Sequence, residues 1–213
     1  MQAKKIKFSQ IMKEKQGENI FPVFEQIINR SKKEKLLKQK AKVIWLTGLS
    51  GSGKTTVGAA FEKELYNRGF LTQILDGDNI RTGINKNLKF SVEDRLENIR
   101  RIAEVTKLFL NCGVITINCF ITPTEDIRQI ARDIIGAENM IEIYISTPVE
   151  VCEQRDIKGL YKKARAGEIK NFTGISSPFE KPVHAVLEIN TGVLNLKESV
   201  DKLLDVVLKE ITY

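Results

Sequence analysis

Gly48-Leu49-Ser50-Gly51-Ser52-Gly53-Lys54-Thr55 satisfies the spacing G-x-x-x-x-G-K-[ST], with a second threonine at Thr56. Glycines at these positions let the backbone turn its N–H groups inward around phosphate oxygens. A helix that starts at the end of such a loop aims its positive terminus at the same anion. At this spacing Lys54 reaches β/γ phosphates, and the Thr55 hydroxyl is placed for Mg²⁺. The chemistry on offer is the binding of a nucleoside triphosphate with its magnesium ion. The context agrees, because the apolar run Val43-Ile44-Trp45-Leu46 reads as a strand and Thr56–Asn67 as the following helix.

A second group follows the next strand, read over Thr72–Leu75: Asp76-Gly77-Asp78-Asn79-Ile80-Arg81. In an open α/β sheet, ligands sit outside the carboxyl ends of the strands, so these carboxylates and the arginine are expected beside the phosphate loop. A carboxylate there accepts the proton of an attacking hydroxyl or holds Mg²⁺ through water. Asp78 is the expected general base and magnesium-linked carboxylate, with Asp76 orienting. The chain has no Asn-Lys-x-Asp pattern for reading guanine. A small-molecule kinase therefore fits better than a switch GTPase.

The elements that must hold these residues alternate. A long amphipathic helix carries Val92, Leu96, Ile99, Ala103 and Val105, and a strand is read at Val114–Asn118 with a helix after Pro123. A strand at Ile141–Ile145, a helix after Pro148, a strand at Val186–Ile189 and a last helix with Leu196, Val200, Leu203, Leu204, Val207 and Ile211 on one face complete the series. Asn195 and Glu198 are spaced as a capping box for that helix. Short apolar strands alternating with helices predict an α/β fold with a parallel sheet covered on both faces, of the P-loop NTPase type. Residues 157–183 break the alternation, and an insertion of that length in a βα protein is usually functional. Near the start, Phe21, Val23, Phe24, Ile27 and Ile28 recur at helical spacing and predict a helix packed on the domain or on a second subunit. A Lys-rich helical stretch is expected from Ser31 to Lys40.

The 213 residues suffice for one α/β domain, taken as 18–213, with a disordered or extended basic arm over 1–17. The formal charge of +7 is uneven: residues 1–41 carry 11 Lys+Arg and 4 Asp+Glu, while the remainder carries 23 of each. A basic run without interleaved aromatics does not make a nucleic-acid site, and none is expected. No apolar run spans a bilayer, and no apolar segment follows the basic first residues, so neither membrane insertion nor secretion is expected. Cys112, Cys119 and Cys152 fit neither a disulfide framework nor a zinc site, which suits a cytoplasmic protein with reduced thiols.

Several runs in one order strongly resemble the adenylyl-sulfate kinase family: Leu75–Arg81, Asp94–Arg101, Phe120–Pro123, Cys152–Asp156, Lys158–Arg165 and Asn171–Ile175. The resemblance spans about residues 18–210. It implies transfer of the γ-phosphoryl group of ATP to the 3′-hydroxyl of adenosine 5′-phosphosulfate (APS). The products are 3′-phosphoadenosine 5′-phosphosulfate and ADP, in sulfate activation. It implies Mg²⁺ with ATP, a homodimer, and a functional link to the ATP sulfurylase that makes APS. Arg155 is implied to pack on the ATP adenine. Asn79, Ile80, Arg81, Arg95, Asn98, Ile121, Thr122 and Asn171 are implied around APS. Phe90 and Phe172 would sandwich its adenine, and Lys158 would contact its anionic groups from a lid over both nucleotides. Arg95 and Asn98, three apart, share a helix face. Two positions depart from the family pattern. Thr122 stands where many members have a serine that can be phosphorylated; its β-branch restricts the rotamer and argues for direct in-line transfer. Thr82 stands where bacterial relatives often carry His, and the only histidine, His184, precedes the last strand. Another P-loop kinase, acting on gluconate or shikimate, and a nucleotide-binding scaffold without turnover are the competing readings.

Overall fold

The computed structural model describes residues 21–213. The arm expected over 1–17 lies outside the described residues. In chain order the elements are α1 (Arg30–Leu37), β1 (Val43–Thr47), α2 (Lys54–Asn67), β2 (Thr72–Asp76), α3 (Gly77–Thr82) and α4 (Val92–Asn111). Then come β3 (Ile115–Phe120), α5 (Glu125–Ile135), β4 (Met140–Ile145), α6 (Val149–Arg155), α7 (Leu160–Arg165), β5 (Leu187–Ile189) and α8 (Leu196–Ile211). All pairings are parallel, and the sheet order is β2-β3-β1-β4-β5.

Alternation along β1 explains why its sequence is an unbroken apolar run. Ile44 and Leu46 enter a core with Val57, Phe61 and Leu65 of α2 and Leu203, Val207 and Ile211 of α8. Val43 and Trp45 enter a second core with Ile99 and Ile102 of α4 and Ile130 and Ile134 of α5. Every position of β1 is thereby buried, as in a sheet with helices on both faces. The capping box of α8 is present, with Asn195 and Glu198 exchanging side-chain and backbone bonds.

Three expectations change. The segment Phe21–Ile28 holds only a three-residue 3₁₀ turn, Phe24–Gln26, and Phe21, Val23, Ile27 and Ile28 are exposed. Without a surface to pack on, so short a helix is marginal in water. Helix α1 begins one residue earlier than expected, because Asn29 caps it by accepting from the Lys32 N–H at 3.1 Å. It ends at Leu37, where Lys38 turns left-handed. The last strand begins at Leu187 rather than Val186, which is exposed. His184 is a surface residue, its Nε2 3.8 Å from Glu125. Among the described residues no helix is long and apolar enough to cross a membrane.

Candidate active site

The loop between β1 and α2 is held from behind. Lys54 Nζ donates to the carbonyls of Gly48 at 3.0 Å and Leu49 at 2.6 Å. Tyr161 Oη donates to Ser50 O at 2.8 Å, and Arg155 Nη1 to Gly51 O at 3.3 Å. Thr147 and Thr191 both donate to Ser52 O, at 3.0 and 2.8 Å. Every carbonyl from Gly48 to Ser52 is therefore occupied on the protein side. The Ser50, Gly51 and Ser52 carbonyls are held by residues from outside the loop, while the Gly48 and Leu49 carbonyls are held by the loop's own lysine and Leu49 O also accepts from the Ser52 N–H at 3.2 Å. Gly53, at φ +98°, makes the sharp entry into α2 and caps it with no side chain. Lys54 is 8% exposed, and burial pulls its pKa down to about 8.

The loop borders a cavity of about 320 Å³, lined by Gly51, Gly53, Thr56, Arg155, Thr191 and Leu194 among others. Arg155 forms one wall. Its guanidinium is fixed by Thr191, with Nη1 to Oγ1 at 2.8 Å and Nη2 to the carbonyl at 2.7 Å. Sequence reasoning missed Thr147, Tyr161, Thr191, Leu194 and Leu196. The signal available for Thr147 and Thr191 was their place just beyond the carboxyl ends of β4 and β5.

The end of β2 reaches the same loop. Asp76 Oδ2 accepts from Thr55 Oγ1 at 2.7 Å, while Oδ1 caps α3 by accepting from the Asp78 and Asn79 N–H groups at 3.0 and 3.4 Å. The carboxylate that meets Thr55 is thus Asp76, with Asp78 two residues further on. Asp78 opens the first turn of α3 and forms an exposed ion pair with Lys158 from the lid segment. A hydroxyl and a carboxylate are hard oxygen ligands of the kind Mg²⁺ takes. Among the described residues no cluster of three His, Cys, Asp or Glu could hold a metal by itself. Magnesium would therefore need the oxygens of a bound nucleotide as well.

Two arginines stand on the other side. Arg81 lies 4.5 Å over the Phe90 ring and donates to the carbonyls of Leu88 and Lys89, both at 3.1 Å. Arg95 donates to Phe90 O at 3.1 Å, to Thr173 Oγ1 at 2.9 Å and to Asn171 O at 2.7 Å. Burial lowers the pKa of both guanidiniums, and for Arg81 the charge of Arg95 adds to the effect. Phe90 is 63% exposed and offers an open ring face, whereas Phe172 packs edge-on against Tyr161 at 5.0 Å.

Three residues implied around the acceptor are wholly or partly buried. Thr122 is 2% exposed, at φ +40°, a strained conformation for a β-branched residue. Its hydroxyl accepts from Trp45 Nε1 at 3.3 Å and donates to Thr47 Oγ1 at 2.7 Å, and Thr47 donates on to Ile121 O at 2.7 Å. The side chain is spent inside the protein. The Thr122 carbonyl is held by the fully buried Arg128 at 2.8 Å. Asn98 is 7% exposed and accepts from Asn85 Nδ2 at 3.0 Å, so it supports the loop below Arg81. Ile80 packs against the second core. Asn79 is exposed on α3, Asn171 is exposed at φ +57°, and Ile121 is half-buried at the end of β3.

Known proteins resemble this arrangement. A family profile described as adenylylsulphate kinase matches residues 40–190. An adenylyl-sulfate kinase of Bacteroides fragilis is 58% identical over 197 residues, covering 92% of this chain and 98% of its own. One from Phocaeicola vulgatus is 60% identical over 191 residues, covering 90% and 94%. Among solved structures, the APS kinase of Mycobacterium tuberculosis in complex with AMPPNP and APS is 40% identical, with a TM-score of 0.76 over 79% of this chain and 98% of that one.

Proposed function

The chain belongs to the adenylyl-sulfate kinase family, and from that premise we propose how its residues divide the reaction. The protein is an ATP-dependent phosphotransferase that moves the γ-phosphoryl group of ATP onto the 3′-hydroxyl of APS. The gluconate- and shikimate-kinase reading falls away with family membership.

One observation carries the division of roles. The Thr55–Asp76 hydrogen bond of 2.7 Å joins the donor loop to the very turn that presents Asp78. Donor phosphates lie in the loop from Gly48 to Thr56, with adenine in the cavity walled by Arg155. Lys54 leaves the loop carbonyls for the β/γ oxygens. Thr55 and Asp76 would hold a magnesium ion brought by ATP, with Asp78 reaching it through water, and the ion would supply charge neutralisation at the β/γ phosphates. The phosphosulfate sits between Arg81 and Arg95, and Phe90 and Phe172 flank the acceptor adenine. Asn79, Ile121 and the Thr122 backbone complete the wall, and Asn98, Ile80 and Asn171 support it from behind.

In the transfer, the 3′-oxygen attacks phosphorus in line as the bond from phosphorus to the β-bridging oxygen breaks. ADP leaves with that electron pair. Asp78 takes the hydroxyl proton. Lys158 must first give up Asp78, and the charge on the transferring phosphoryl group gives it a new partner. The lid, residues 157–183, thereby closes over both nucleotides and excludes water. With the Thr122 hydroxyl buried and bonded, direct transfer needs no phosphorylated intermediate at that position.

The reading extends to a cytoplasmic homodimer that uses the exposed Phe21, Val23, Ile27 and Ile28, and to functional coupling with ATP sulfurylase. Acceptor analogues test the reaction. With 3′-deoxy-APS the chain should bind the analogue yet release no ADP above the acceptor-free rate. Phosphorylation of that analogue would overturn the assignment of the 3′-oxygen.

A further inference from the structure

Tyr161 and Ala164 are the inward residues of the lid helix α7. Tyr161 is 1% exposed, while Lys162 and Lys163 on the same helix face solvent. Its hydroxyl donates to Ser50 O at 2.8 Å, in the middle of the phosphate loop. Its ring meets the Phe172 ring edge-on, with centroids 5.0 Å apart and planes at 78°. Asp156 fixes the rotation of α7 by accepting from the Tyr161 and Lys162 N–H groups, both at 3.0 Å. Burial raises the pKa of the phenol, which keeps it a neutral donor. A second contact runs beside it. Gly174, at φ +90°, lies so near the loop that a Cβ would stand 2.9 Å from Leu49 Cδ2. Two neighbouring residues of the donor loop thus touch the chain on either side of Phe172.

We infer that Tyr161 is a positioning residue that couples the two nucleotide sites. Phosphates settling in the loop fix the Ser50 carbonyl; that carbonyl fixes the Tyr161 hydroxyl; and the Tyr161 ring sets the Phe172 ring against which the acceptor adenine stacks. The inference deepens the proposed function, since it rests on Phe172 being part of the acceptor wall. Coupling of this kind is reciprocal: the donor tightens the acceptor by the same factor as the acceptor tightens the donor.

The test is calorimetric titration of APS into the full chain, with and without Mg²⁺ and AMPPNP, for the unmutated protein and Tyr161→Phe. That variant keeps the ring against Phe172 and removes the hydroxyl that bonds Ser50 and lies beside Cys152; Cys152→Ala, which leaves the Ser50 bond in place, should keep the ratio. The unmutated chain should bind APS at least about fivefold more tightly when AMPPNP is present, and the ratio should fall to within about twofold of unity in Tyr161→Phe, with APS binding itself retained. Thermal unfolding of the variant checks that the fold survives. Tyr161→Leu, which also removes the ring contact, should in addition weaken APS in the absence of nucleotide. A ratio preserved in Tyr161→Phe, or a ratio near unity in the unmutated chain, overturns the coupling alone. Failure of the unmutated chain to bind APS under either condition overturns the reading of the site and the coupling with it.

Discussion

Lys54 shows how one side chain serves two states of the same loop. In the structure it is buried and donates to the carbonyls of Gly48 and Leu49. Burial lowers its pKa to about 8 from an ordinary 10.5. Between those values the unfolded chain holds a proton that the folded chain has lost, so this residue makes stability rise with pH across the window. Nucleotide binding should run the other way, because phosphate favours the charged amine. AMPPNP affinity should weaken above pH 8 by up to about tenfold per unit, and Lys54→Met should flatten that slope. A slope that survives in Lys54→Met would point to another group. Asp78 gives the second prediction at this scale. Asp78→Ala should lower kcat by about 10²–10⁴-fold while AMPPNP binding, read by calorimetry, persists. Near-normal turnover would remove Asp78 as the base. Thr122 gives the third. Thr122→Val breaks the relay from Trp45 to Thr47 and leaves the buried Trp45 N–H without its acceptor, at a cost of about 1–3 kcal/mol in urea unfolding. Thr122→Ser keeps the relay and should stay close to the unmutated stability.

At the scale of elements, the strand ends were legible and their fittings were not. Buried parallel strands are written as apolar runs, which is why β1 and β4 were expected within a residue of their observed limits. The phosphate loop was legible because its glycines and lysine have no other economical use at that spacing. The hydroxyls that occupy its outward carbonyls, Thr147, Tyr161 and Thr191, carry no spacing signal, since they arrive from three separate elements. Thr122 was expected toward the acceptor. Its left-handed backbone instead turns the hydroxyl inward, and no local pattern announces that. The loop is held by α5, whose Arg128 and Arg132 meet Glu142 of β4, Arg132 Nη1 at 2.7 Å. Arg128→Met removes a buried cation from Glu142 and the clamp from the Thr122 carbonyl. Arg132 still pairs Glu142, so stability should fall by about 1–3 kcal/mol, the cost of the Thr122 carbonyl left without its donor, and the KM for APS should rise more than the KM for ATP. Equal rises would mean that the clamp does not serve the acceptor side.

Over the whole molecule, the sheet order β2-β3-β1-β4-β5 divides the labour. Strand β1 supplies the phosphate loop at the centre. On one side, β2 and β3 supply the carboxylates, Arg81 and the Thr122 turn. On the other, β4 and β5 supply Thr147 and Thr191 and the wall of the donor cavity. The segment 157–183 touches both halves, through Tyr161 and Gly174 on the loop and through Lys158 on Asp78 and Asn171 on Arg95. A molecule arranged this way should spend ATP only when the acceptor completes the enclosure. The direct measurement is ADP release from ATP and Mg²⁺ by the purified chain, with APS, with AMP and with no acceptor. The account predicts rapid release with APS and near-background release in the other two. Release at the same rate in all three would contradict it.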